Sequence, residues 1–417
     1  MHVSAQAYID AALASTHDSQ VRNNLYIFNS WLIGEQRFCM AAPKLIILCF
    51  DALERELFGS EYENLRLTTY GNTDISEFKL PRSVILWSSF LTSRNMEIHL
   101  KDMLYEFGFG PFRVRIPTDV GDTFERHIWG GWSGKILGKL APLRKYLKER
   151  IWSIKLKPKK TFLRYFTSYV AIDMVALSHK RRRHKREREL MSDYFNYNVE
   201  EGIIDKLREI IHKFYYGNNE IHKNQKDLHK MDEILKNYER LAWEGHLENK
   251  AELFDALDKD YEIILFFTPL ADLIGHINFG SEKEMRDVYR ELNSLVGSLR
   301  EMVKDKGTTI IGISDHGMEQ VVFKTRNGHL KKTRYGDHSE VKQGIYFINR
   351  TVEEIRGRYI AIQNSVQENE IQIFNVDEQN DIEEALIRLE KGNPTLRDFY
   401  HIIKIYGSKN PIKHIKR

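Results

Sequence analysis

The chain carries only two cysteines, Cys39 and Cys49, among its 417 residues. That is too few for a disulfide framework to hold together a fold of this size. Cys49 lies inside an apolar run at 45–50 and reads as a small buried hydrophobe. Long apolar stretches are also missing: no run approaches the ~18–20 residues that cross a bilayer, so a membrane-spanning helix is not expected. The first 40 residues mix Gln, Asn, Asp and Arg throughout and lack the charged-then-apolar order of a signal peptide. Together these absences lead to the expectation of a soluble, cytoplasmic protein. A strong charge of one sign is absent as well. The 63 basic and 59 acidic residues leave a formal net charge of +4, which attracts anions mildly and does not by itself indicate nucleic acid binding. There is no low-complexity tract and no internal repeat at a period of about 20–50 residues.

What is present describes an ordinary globular chain. The 42% hydrophobic and 12% aromatic content excludes disorder, which has far fewer aromatics. Residues 44–50 (KLIILCF), 261–268 (YEIILFFT) and 308–314 (TTIIGIS) are continuous apolar runs. Runs of this kind suit strands covered on both faces, as in a parallel sheet with helices on either side. Between the last two, residues 282–306 carry Met285, Val288, Leu292, Leu295, Val296, Leu299 and Met302 at helical spacing, with Gly307 where a helix stop is expected. Strand, helix and strand in this order form a βαβ unit. A shorter strand, GIYFI at 344–348, follows.

The middle of the chain reads differently: helical, rich in Lys and Arg, and poor in strand signals. The division expected is an N-terminal helical extension at 1–42, a catalytic α/β core at 43–117 and 261–350, a basic helical insertion or cap at 118–260, and a C-terminal segment at 351–417 packing on the core. The densest charge block is HKRRRHKRER at 179–188. Its ordinary reading is a solvated face or loop, and its sharper one a basic patch that steers phosphate-bearing substrates or nucleic acid.

Each long apolar strand ends at or near an acidic residue: Asp51 after the first, Asp272 just beyond the second, Asp315 after the third. The carboxyl ends of strands line the ligand crevice of an α/β sheet. Three carboxylates delivered to one edge repel one another unless positive charge sits among them, and metal ions are the simplest neutraliser. Histidines accompany them: His276 four residues after Asp272, His316 next to Asp315, and His338 in the polar stretch GDHSE before GIYFI. Asp and His suit Zn²⁺ or Mn²⁺, although any one of these histidines taken alone reads as a surface or hydrogen-bonded residue. Ser83 opens SVILWSSFLTS at 83–93. It is either an N-cap for the apolar stretch that follows or a hydroxyl nucleophile activated by a metal.

In this order the motifs resemble the alkaline phosphatase superfamily, in its type I phosphodiesterase and nucleotide pyrophosphatase branch. There a first strand ends in Asp, and a Thr or Ser nucleophile opens a pattern like T-x-P-A-W-T-S-x-x-T-G. Then come D-x-x-x-H, a strand ending S-D-H-G, and a last His before a G-I-F-I strand. This chain offers FDALE at 50–54, SVILWSSFLTS at 83–93, DLIGH at 272–276, SDHGM at 314–318, and His338 before GIYFI. The resemblance implies an alkaline phosphatase-like α/β fold, a mostly parallel central sheet flanked by helices, with a helical insertion or cap. It also implies two divalent metal ions, Zn²⁺ first and Mn²⁺ as the alternative. One would be held by Asp272, His276 and His338 and the other by Asp51, Asp315 and His316, with Ser83 at or between them.

The chain departs from the pattern in four places. Ser83 replaces the usual Thr, Ala52 and Ser93 stand where Gly is common, and Ile85 where Pro is common. Sulfatases share the spacing but place Pro two and Arg four residues beyond the nucleophile, where this chain has Ile85 and Trp87. The reaction implied is hydrolysis of phosphodiester or nucleotide pyrophosphate bonds in a small phosphate-ester or nucleotide substrate, because Trp87 follows the diesterase pattern. A phosphomonoesterase, a phosphotransferase or mutase on the same core, and an inactive nucleic-acid-binding homologue are the alternatives.

Overall fold

The computed structural model of the chain describes residues 42–54, 61–79, 83–98, 104–109, 112–117, 156, 158–175, 177, 225–324, 328–338, 341, 343–369 and 374–407. The expected N-terminal extension, nearly all of it, and the basic run at 179–188 lie outside these residues, as does much of 118–260.

The elements follow in chain order. They begin with β1 (Leu45–Phe50), β2 (Thr69–Asp74), α1 (Ser83–Thr92) and a hairpin of β3 (Leu104–Phe109) and β4 (Phe112–Pro117). Next come β5 (Tyr169–Ile172), the long α2 (Gln225–Leu257), β6 (Ile263–Thr268), the short α3 (Leu270–Asn278), α4 (Glu282–Val303) and β7 (Thr309–Ser314). A second hairpin, β8 (Glu319–Lys324) and β9 (Leu330–Asp337), precedes β10 (Gln343–Ile348). Three helices close the described chain: α5 (Val352–Asn369), α6 (Val376–Glu390) and α7 (Asp398–Lys404).

One sheet has the order β2-β10-β7-β1-β6-β5. β1 pairs in parallel with both β6 and β7, and β5 with β6, while β10 runs antiparallel to β7 and β2. Only β10 therefore opposes the others, and the mostly parallel α/β sheet expected from the apolar runs is present. All six residues of β1, of β6 and of β7 are buried, because these three strands occupy the interior of a sheet covered on both faces.

The two faces are visible in β1 itself. Leu45, Ile47 and Cys49 join a core with α1 and with Ile355, Leu386, Phe399 and Ile402 of the last three helices. Ile46, Leu48 and Phe50 join a second core with Leu253, Ile274, Leu292 and Leu299 of α2, α3 and α4. Burial pushes the Cys49 thiol up, as fits a small apolar filler. α4 begins where the spacing predicts and ends at Val303, with Gly307 at φ +68 closing the turn that leads to β7.

One element differs from the sequence reading. Residues 169–172 (YVAI), inside the stretch read as helical, form β5 at the edge of the main sheet. An edge strand of four residues, half covered, carries no long apolar run to announce it. No helix among the described residues is long and apolar enough to cross a membrane.

Candidate active site

The parallel strands point their carboxyl ends to one edge, and the seven residues singled out from the sequence meet there. Asp51 follows β1, Asp315 and His316 follow β7, Asp272 and His276 lie on α3 just after β6, Ser83 starts α1, and His338 follows β9. The turns that hold them are tied to one another. Asp51 N–H donates to Thr268 O at 3.1 Å, and Asp272 N–H donates to Asp51 O at 3.1 Å. Ser314, whose role the sequence did not disclose, accepts from Leu53 N–H at 2.8 Å and donates to His316 O at 2.6 Å. Glu54 accepts from Met318 N–H at 3.2 Å. A Cβ at Gly317 would stand 2.1 Å from that same Glu54 carboxylate, so glycine here lets Glu54 reach the turn between His316 and Met318.

Two sets of ligand atoms, each within 4.8 Å, result: Asp51, Asp315 and His316, and Asp272, His316 and His338. His316 thus stands between the sets. The resemblance pairs His276 with Asp272 and His338; here its Nε2 lies 3.0 Å from Asp272 Oδ1 and its ring 5.2 Å from that of His338. The His316 and His338 rings stack at 4.0 Å with 22° between planes. Ser83 Oγ is 3.0 Å from Asp51 Oδ1 and 3.3 Å from His316 Nε2, so it faces the cluster.

The tautomers decide what this cluster can hold. His316 Nδ1 is 2.9 Å from Gly317 O and His276 Nδ1 is 3.4 Å from Gly336 O. A carbonyl only accepts, so each ring carries an N–H on Nδ1 and Nε2 is the atom that faces carboxylates. For His316 these are Asp51 Oδ1 at 3.4 Å and Asp315 Oδ2 at 3.5 Å. A divalent cation set among these atoms would be ligated by Nε2 and neutralise the carboxylates. Asp315 Oδ2 is buried and accepts no hydrogen bond, and His338 Nδ1 is likewise buried without a partner.

Electrostatics agree. Burial first, then the Asp51 and Asp272 charges, push the Asp315 carboxyl well above its usual range. Burial, with the His316 ring next, pushes His338 down to about 3. A neutral His338 adds no positive charge to the buried carboxylates beside it. The donor set of buried Asp oxygens and imidazole nitrogens fits divalent ions of the zinc and manganese type.

Trp87, which carried the preference for diesters in the sequence, is fully buried. Its ring packs edge-on against Phe90 at 5.7 Å and Phe267 at 5.8 Å. It is a core residue. At the departures Ala52 and Ser93 the backbone is left-handed, at φ 59 and 57, where glycine is the usual occupant. Ser93 is held by a 2.6 Å contact between its Oγ and His401 Nε2.

The chain thus brings one hydroxyl, three carboxylates and three imidazoles to a single sheet edge. Its family is given by the sequence: the model of the type I phosphodiesterase/nucleotide pyrophosphatase family matches residues 105–400, and the chain belongs to that family. The matched span includes Asp272, His276, Asp315, His316 and His338 and begins after Asp51 and Ser83. Among solved structures, the murine ectonucleotide pyrophosphatase/phosphodiesterase 5 is similar at 13% identity and a TM-score of 0.28, over 68% of this chain and 59% of that one. The chain thus spans less than two thirds of that protein's length. An alkaline phosphatase from the Antarctic bacterium TAB5 is similar at 13% identity and a TM-score of 0.31, over 74% of this chain and 92% of that one. No curated protein matches the chain in sequence.

Proposed function

We propose that the protein is a two-metal hydrolase of phosphodiester or nucleotide pyrophosphate bonds, with Ser83 as its nucleophile. The observation that carries this reading is the convergence of Ser83 Oγ on Asp51 and His316 at 3.0 and 3.3 Å, at the edge of two Asp/His ligand sets. Asp51, Asp315 and His316 would hold one ion, and Asp272 and His338, with His276 beside them, the other. When bound, the ions supply Lewis-acid stabilisation of the entering and leaving oxygens and help ionise the attacking hydroxyl or water. Zinc is the first choice for this nitrogen and oxygen donor set and manganese the second.

The residues of the chain do the rest. Ser83 Oγ forms a bond to phosphorus as the bond to the leaving oxygen breaks, giving a serine-linked phosphoryl group. Its proton has two acceptors in reach, Asp51 Oδ1 and His316 Nε2. Water then breaks the Ser83–phosphorus bond and restores the hydroxyl. Family membership, in place of Trp87, supports the preference for diesters and nucleotides. Within 118–260, β5 and α2 belong to the main sheet and its covering layer; the rest of that insertion would shape substrate choice, and the scarcity of cysteine supports a cytoplasmic setting.

The test compares hydrolysis of bis-p-nitrophenyl phosphate and p-nitrophenyl phosphate after EDTA treatment and readdition of Zn²⁺ or Mn²⁺. Metal-dependent turnover favouring the diester is expected. A preference for the monoester would move the protein to a phosphatase role with the same site. Turnover that survives complete metal removal would overturn the two-metal reading.

A further inference from the structure

His246, on α2, is 1% exposed and lies outside the Asp/His cluster. Its Nε2 is 3.0 Å from Glu291 Oε1 on α4, and Lys250 Nζ donates to the same oxygen at 2.6 Å. Its Nδ1 is 2.9 Å from Thr268 Oγ1, at the end of β6. Thr268 Oγ1 in turn accepts from Leu270 N–H at 3.4 Å, the first residue of α3. The backbone oxygen of the same threonine accepts from Asp51 N–H at 3.1 Å. Three buried polar side chains from two helices thus form a chain that ends on Thr268, which touches both the Asp51 turn and the start of the helix bearing Asp272 and His276.

The proton positions along this chain follow from chemistry. The Glu291 carboxylate only accepts, so His246 Nε2 carries the hydrogen and Nδ1 presents a lone pair. That lone pair takes the Thr268 hydroxyl proton, which turns an oxygen lone pair toward Leu270 N–H. The arrangement satisfies each of these groups in a single orientation. Burial works to raise the Glu291 carboxyl, but the hydrogen bond from His246 and the charge and hydrogen bond of Lys250 leave it below its usual value. An ionised Glu291 is what the donor pattern requires.

We propose that His246 is a positioning residue for the metal site: anchored by Glu291 and Lys250, it fixes the Thr268 hydroxyl that accepts from Leu270 N–H at the start of α3 and so sets where Asp272 and His276 point. The inference rests on the reading of Asp272 and His276 as metal-site residues. Side chains that hold metal ligands in place typically change affinity by about 10–100-fold when removed.

The test separates the two ring nitrogens. In His246→Asn the carboxamide oxygen stands near the place of Nδ1 and keeps the Thr268 contact. In His246→Gln the amide nitrogen reaches the place of Nε2, keeps Glu291 and loses Thr268. Thr268→Val removes the hydroxyl while preserving shape. The readouts are Zn²⁺ affinity by chelator competition, kcat and KM on the preferred p-nitrophenyl ester, and thermal unfolding. His246→Gln and Thr268→Val should each weaken zinc binding about ten-fold, with kcat restored by excess zinc. The double variant should be no weaker than either single one, because both break the same link. His246→Asn should stay within about two-fold of the parent. Unchanged zinc affinity in both His246→Gln and Thr268→Val, with a lowered unfolding temperature, would reduce His246 to a packing strut and overturn the proposal. A parent protein that binds zinc but hydrolyses neither ester would overturn the proposed reaction and leave the affinity comparison intact. A parent that binds no zinc would remove both.

Discussion

Ser83 and Asp51, 32 residues apart in sequence, meet with Oγ 3.0 Å from Oδ1. The hydroxyl aims its proton at a carboxylate instead of capping the helix it begins. Ser83→Ala should therefore lower turnover by at least about a thousand-fold while metal content stays at the parent level. Ser83→Thr keeps a hydroxyl and should retain part of the activity. Steady-state rates on the diester, with metal analysis of the same samples, check both. Undiminished turnover in the alanine variant would take the nucleophile's role away from Ser83.

The ligand sets share one residue. Asp272 belongs to one set, whereas His316 belongs to both. Asp272→Ala should bind one equivalent of zinc where the parent binds two, and His316→Ala should weaken both. Metal loading by titration into chelator-treated protein reads this directly. Zinc should also raise the unfolding free energy of the parent, by about 2.7 kcal/mol at a hundred times Kd. Two full equivalents in Asp272→Ala would contradict the assignment of ligands.

Trp87 makes a different prediction from the one its place in the motif suggests. Fully buried against Phe90 and Phe267, it should cost about 3–5 kcal/mol when replaced by alanine. Trp87→Phe should leave the ratio of diester to monoester turnover unchanged. A shifted ratio in that variant would tie the residue to substrate after all.

Ala52 is buried with φ at 59. A left-handed non-glycine residue costs about 1–2 kcal/mol, and glycine gives back about 0.5–1 through its freer unfolded chain. Ala52→Gly should then stabilise the fold by about 0.5–1 kcal/mol, measurable by urea denaturation. Ser93→Gly should gain less, since it loses the 2.6 Å contact with His401.

Glu378 and Lys404 form an ion pair in which Lys404 is 1% exposed, with its ammonium 4.8 Å above the Tyr165 ring. Burial acts to raise the Glu378 carboxyl, but the hydrogen bond and charge of Lys404 hold it below its usual value. Burial also lowers Lys404, which works against the pair, and the contact with Glu378 opposes that shift. A depressed carboxyl contributes stability above its unfolded pKa and loses it as pH falls through the folded value. Glu378→Gln should therefore cost about 2 kcal/mol at neutral pH, less than a fully buried pair because Glu378 remains partly wet. The gap from the parent should close as pH falls below about 4. A gap that persists in acid would assign the loss to packing.

Much of the site was legible because its residues end apolar runs. LIILCF, IILFFT and TIIGIS are buried throughout, and a continuous apolar run reports such burial directly. Asp51, Asp315 and the DLIGH segment could thus be placed at one sheet edge before any contact was known. β5 was not legible, since four residues at a half-covered edge leave no run. Nor was His246: one of two histidines on a helix of 33 residues, it carries no local sign that it meets Thr268 and Glu291. That Trp87 is a core residue was not legible either, because a motif position states which residue recurs and not which way it points.

The sequence by itself determined the α/β class, the strands that end at the site, and the residue types gathered there, because periodicity and strand-end chemistry are local properties. Only the tertiary structure decided which ligands share His316, where Ser83 aims its proton, and that Thr268 links both turns. Those depend on elements separated by tens to hundreds of residues, and their spacing is fixed by how the two cores pack against the sheet.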